Sequence, residues 1–183
     1  MEKIEIIAQI MGILGMAFMI SSFQIKKNRT LLITQGIGGF LFFLNYILMG
    51  AIVGAGLNIV AIIRAILGSK EKSRNKKTFW ILACLYVLMA VIYVVLSLKD
   101  GSFNPLLVLW NIILTAAQIV GTWAFWKNDG ALIRKANLFC VSPIWLFNNI
   151  FITFTIGGIL CEVFCLSSII ISLIRFGKDG FEK

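Results

Sequence analysis

The sequence predicts an all-α integral membrane protein: seven transmembrane helices, arranged as two parallel three-helix repeats joined by a linker helix (3+1+3). Three observations carry this. Apolar residues come in continuous runs of roughly 20, the length that crosses a bilayer core as helix. The basic residues between those runs sort almost entirely to alternate connectors. Polar residues and short turns recur in the same order in the two halves. A closed β-barrel would need strict alternation, which unbroken runs exclude.

Composition sets the limits. Of 183 residues, 60% are hydrophobic and 14% charged, so the spans consume the chain and residues 1–183 form a single membrane domain. The net charge of +9 sits in short loops, where topology demands it, and no folded basic module remains to bind nucleic acid. There is no His, and Cys84, Cys140, Cys161 and Cys165 all lie in apolar segments; neither a metal site nor a cofactor is expected. Without His or paired carboxylates at one depth the chain lacks a hydrolase's nucleophile and base, so no enzymatic activity is expected. The last span has no Lys for a retinal Schiff base.

The first span covers residues 4–23, too long for a signal-peptide core and followed by no small-residue cleavage site. The second and third, 31–49 and 52–67, are joined by a tight uncharged turn at Gly50-Ala51 and make the first repeat, 4–67. A strongly basic loop, 69–77, follows, with enough Lys and Arg to meet anionic lipid. The linker span, 78–98, is nearly free of polar groups, and its exposed faces are the candidate seam for a homo-oligomer. Residues 99–104 are turn-rich, and Pro105 opens the fifth span, 105–126, where its missing N–H is harmless. Lys127–Gly130 turns the chain into the sixth span, 133–152. The seventh is 156–176, which completes the second repeat, 105–176. Seven crossings put Lys26, Lys27, Arg29, the 69–77 loop, Lys127, Arg134, Lys135 and the C-terminal cations on one side, leaving Lys3 and Lys99 on the other. That asymmetry predicts an external N-terminus and a cytoplasmic C-terminus. Arg64 and Arg175, near inner span ends, read as topology anchors.

Shifting the sequence by about 102–104 positions sets Gln9 on Asn111, Phe23 on Phe125, Asn45 on Asn148 or Asn149, Gly54 on Gly157 or Gly158, and Asn58 on Glu162. The linker's extra crossing makes the repeats parallel. All six repeat helices then contribute a polar group to one layer in the outer half. The candidate binding residues are Gln9, Phe42, Asn45, Asn58, Asn111, Trp145, Asn148, Asn149 and Glu162. Amides offer donors and acceptors to a hydroxylated or heteroaromatic solute, and Phe42 and Trp145 offer apolar faces. Trp110 fits a pocket wall or an interfacial belt equally. Glu162 is the sole acid well inside a span. It has three available roles: binding a solute donor or cation, exchanging a proton, or standing protonated as a structural donor. Two functions remain open. One is a transporter of a small polar solute working by alternating access; the other is a sensor or assembly protein whose amides only hold helices together.

The segments Gly121-Thr-Trp-Ala-Phe-Trp-Lys127, Trp145-Leu-Phe-Asn-Asn149, Ile156-Gly-Gly158, Glu162 and Leu173-Ile-Arg-Phe176 resemble the bacterial inner-membrane YgjV-like family, and Phe42-Phe43, Leu48-Met-Gly50 and Arg64 extend the likeness through the first half. The resemblance implies an inner-membrane location. More distantly, the 3+1+3 layout is similar to the SWEET, PQ-loop and nicotinamide-riboside transporters. That likeness implies pocket roles for Trp145 and Asn58, with Glu162 in the place of the second repeat's Asn and Phe42 roughly in the place of the other Trp. The sequence departs from the pattern in lacking a Pro-Gln dipeptide and internal prolines in the first and fifth spans.

Overall fold

In the computed structural model, which describes residues 3–50, 52–151 and 156–176, every regular element among the described residues is helical. The elements are α1 (Lys3–Ser22), α2 (Asn28–Leu48), α3 (Ile52–Gly68), a 3-10 turn (Glu71–Ser73), α4 (Lys76–Lys99), α5 (Pro105–Trp126), α6 (Gly130–Ala136), a π segment (Asn137–Val141), α7 (Ser142–Phe151) and α8 (Ile156–Phe176). Ala136, Asn137 and Ser142 all keep right-handed helical backbone angles, so α6, the π segment and α7 run on as one segment, 130–151. Seven helical segments therefore stand where seven spans are expected. Five of them, α1, α2, α4, α5 and α8, are long and apolar enough to cross a membrane. The turn expected at 153–155, Ile152 and the charged tail from residue 177 lie outside the described residues, as does Ala51. Gly157 and Gly158 lie inside the first turn of α8.

Local chemistry explains the helix ends. The side chains of Asn75 and Asn104 cap α4 and α5, accepting from the amides of Thr78 and Leu106. Asp129 accepts from Ala131 and Leu132 at the start of α6, satisfying amides that a helix start leaves open. Gly50, at φ +72°, takes the left-handed turn after α2 that a side chain would strain.

The outer surface is apolar. Ile174, Phe139, Leu106 and Trp80 are 79%, 77%, 66% and 63% exposed, and large apolar residues on every long helix face outward with them. A water-soluble monomer does not carry apolar surface on this scale; hydrocarbon is its solvent. Inside, α2 packs between α1 and α3, and the 130–151 segment packs between α5 and α8. The circle closes where α8 meets α1 and where α3 meets α5, with α4 lying against both α3 and α5. Close approach uses small residues: a Cβ on Gly15 would sit 3.2 Å from the Gly38 carbonyl oxygen across the α1–α2 contact.

On the face that holds the basic loops, the connectors are knotted together. Asn28 donates to the Asn128 carbonyl at 2.8 Å, and Arg74 donates to the Asn128 side chain at 3.0 Å and to the Gly68 carbonyl at 2.9 Å. Asn128 adopts φ 52°, a left-handed conformation that Asn tolerates better than most residues. Arg134 departs from expectation most clearly. Read from sequence as a loop cation, it is fully buried and donates to the carbonyls of Phe23 (3.0 Å), Gly130 (3.0 Å) and Ile25. Its planar fork caps the C-terminal end of α1, where unsatisfied carbonyls carry partial negative charge.

Candidate functional site

Pro143 shapes the middle of the sixth segment. Proline has no N–H to donate and its ring crowds the carbonyl four residues back, so the preceding turn must widen. The π segment Asn137–Val141 ends at that point, with the Ser142 amide donating to the Asn137 carbonyl five residues back. Ser142 is thereby buried and stands close enough to Glu162 of α8 to bear on its carboxyl. Tyr46 of α2 completes the group; its hydroxyl is within electrostatic reach of Glu162 and Cys161. Phe42, one turn from Tyr46, sets its ring 6.5 Å from the Tyr46 ring. Phe42 also packs on the buried floor formed by Phe23, Cys161, Cys165 and Ile169. Three helices from both halves of the chain thus set two hydroxyls within electrostatic reach of one carboxyl, about 9 Å along α8 from its start. Among the described residues no cation pairs with that carboxyl.

The other nominated residues divide. Asn149 is buried and lies against α8: a Cβ on Gly158 would meet the Asn149 Cγ at 2.6 Å. Trp145 is half-buried on α7 between Ser142 and Asn149. Asn45 donates to the Ala8 carbonyl at 2.7 Å, fastening α2 to α1. Asn148 accepts from the Trp110 indole at 2.9 Å, fastening α7 to α5, and Phe147 stacks on Trp110 with ring centroids 4.6 Å apart. Asn58 and Asn111 each donate to a carbonyl of their own helix, Gly54 and Leu107, at 2.9 Å. Gln9 is on the exposed side of α1. A cavity of about 10 Å³ lies beside Asn111, lined also by Leu57, Met89, Thr115 and Gln118; it has room for a single water.

Sequence reasoning missed Tyr46 and Ser142. Ser142 had a signal, its place directly before the proline of a span. Tyr46 is indistinguishable from an interfacial aromatic until the helix has a rotation. Arg64, expected as a topology anchor near the inner end of its span, also makes contacts within the bundle. It is half-buried, its guanidinium centre is 4.3 Å from the Phe125 ring centroid, and it donates to Gln118 at 3.3 Å.

A model of the Imp-YgjV family, described as a bacterial inner membrane protein, matches residues 6–180. The chain belongs to that family. The description agrees with the apolar exterior and places the bundle in the bacterial inner membrane. No curated protein and no solved structure matches the chain.

Proposed function

We propose that this inner-membrane protein moves a small polar solute or a proton by alternating access, with Glu162, Ser142 and Tyr46 as the binding element. The observation that carries the reading is the carboxyl itself. An ionisable group with no pairing cation among the described residues, held between helices of both halves, is expensive in a bilayer unless function retains it. The π turn beside it is a further feature common at working sites.

Paired units are part of this reading, and equivalent contacts support them. Asn45 bonds to position 8 and Asn148 to position 110, offsets of about 103 and 102. Tyr46 lies over Gly54 as Asn149 lies over Gly158, with the ideal glycine Cβ 2.9 Å and 2.6 Å from the facing side chain. Two similarly packed units, tied at the α3–α5 and α8–α1 seams, are what rocking between outward and inward states requires. In this reading the knotted connectors face the cytoplasm, following the basic bias, and the tight centre is the closed state. Sugars, nucleosides and vitamin-like solutes suit the site's hydroxyl and aromatic groups.

A second reading has its own observation. Asn45, Asn58, Asn111 and Asn148 all spend hydrogen bonds inside the protein, as they would in a sensor or assembly protein. Proteoliposomes separate the two. Uptake of a panel of labelled sugars, nucleosides and vitamins, with an internal pH dye for protons, should show flux in the wild type and its loss in Glu162→Gln. No flux of any kind from folded wild-type protein favours the second reading.

A further inference from the structure

Arg64 is a further ionisable side chain drawn into the bundle, and the transport reading leaves it unused. It lies one turn before the end of α3, about 6 Å inside that end, at the seam where α3 meets α5. Its Nη1 donates to Gln118 at 3.3 Å, a long bond, and its flat face rests on Phe125. Its Nε is buried and has no partner among the described residues. Five donors with one protein acceptor among the described residues leave this half-buried guanidinium with hydrogen-bonding capacity to spare. Nearby groups add donors. Tyr86, fully buried on α4, is within electrostatic reach of Arg64 and beside Thr122. Arg74 donates to the Gly68 carbonyl, one turn along α3. The α5 wall beside Nη1 is bare, because position 121 is glycine: a Cβ there would stand 3.5 Å from Nη1.

We propose that Arg64 is the anchor of a phosphate-binding site at the α3–α5 seam, taking either the phosphodiester of an anionic lipid headgroup or a free phosphate group. A planar fork with unspent donors matches two phosphate oxygens. The depth matches too, since the last turn of a span lies where the hydrocarbon gives way to headgroups. The site is separate from the Glu162 centre and does not depend on transport.

The test uses the full chain, purified and delipidated. One arm titrates inorganic phosphate against chloride at matched ionic strength and follows thermal unfolding. The other compares nanodiscs of phosphatidylcholine with and without phosphatidylglycerol. Wild type should be stabilised in at least one arm, which identifies the source. Arg64→Gln should weaken the effect ~10-fold, the loss of a charge-assisted hydrogen bond, while Arg74→Gln retains part of it. Arg64→Met guards against misfolding. It should unfold at or above the wild-type temperature without phosphate, since it keeps the apolar stem and removes a half-buried cation with no paired anion among the described residues, and should ignore phosphate. The proposal is overturned if wild type responds in neither arm, if Arg64→Gln responds as wild type does, or if Arg64→Met is strongly destabilised. Solute flux with neither anion response would leave the transport reading standing and remove this one; the converse result would do the reverse.

Discussion

Replacing Arg134 should destabilise the protein more than replacing any other cation of the basic face. Its side chain is 0% exposed and makes hydrogen bonds to three backbone carbonyls, two of them at the end of α1, more than 100 residues away in sequence. Each bond from a charged donor contributes about 1.5–3 kcal/mol. Removing the guanidinium also relieves the cost of burying it, several kcal/mol, and interfacial water can reach part of the α1 terminus. The net expectation for Arg134→Met is a loss of about 3 kcal/mol, three bonds from a charged donor less the relieved cost of burying it. Arg134→Lys keeps the charge but not the fork, so it should lose about half as much. Arg175, exposed and only 5.4 Å from the Phe176 ring centroid, is the control, and Arg175→Met should shift stability by ~0.5 kcal/mol or less. Denaturant titration of purified protein in matched detergent, followed by far-UV circular dichroism and Trp fluorescence, measures all three. If Arg134→Met and Arg175→Met unfold together within ~0.5 kcal/mol, Arg134 does not clamp α1 and the packing of the two halves on this face is misjudged.

Other expectations follow from particular contacts. Gly158→Ala and Gly54→Ala should each lose about 1–3 kcal/mol by overpacking against Asn149 and Tyr46; equal stability to wild type in denaturant titration would contradict those contacts. Asn45→Leu and Asn148→Leu should each cost about 0.6 kcal/mol, the typical value of an interhelical hydrogen bond in a membrane, read the same way. Pro143→Ala should restore a regular α-helix across 137–143, seen as slower amide exchange there. The altered helix would rotate Ser142 away from Glu162, and flux should fall even though the fold gains stability.

The helices were legible because each obeys local rules. Continuous apolar runs, Pro105 at the first turn of α5 and Gly50 in a turn act within a few residues of themselves, so the expected limits of the spans fall within a few residues of those in the structure. The candidate site was legible only in part. Glu162 stood out because a lone acid in a span is chemically conspicuous, and Phe42 was nominated as an apolar face close in sequence to Asn45. The nominated amides shared a depth but not a direction. Asn45 and Asn148 turn toward neighbouring helices, while Asn58 and Asn111 turn back on their own. A rotation of one residue, about 100°, separates a pocket wall from a packing bond or, for Gln9, from lipid.

By itself, then, the sequence determined the class, the number and limits of the helical segments, and the charge bias between faces, because hydrophobic length and connector charge are one-dimensional quantities. Only the tertiary structure decided that Ser142 and Tyr46 join Glu162, that Arg134 is a buried clamp, and that Arg64 faces α5. Those facts depend on the rotation of each helix about its axis and on which neighbour it meets. Packing among all seven segments sets both, and no single segment encodes either.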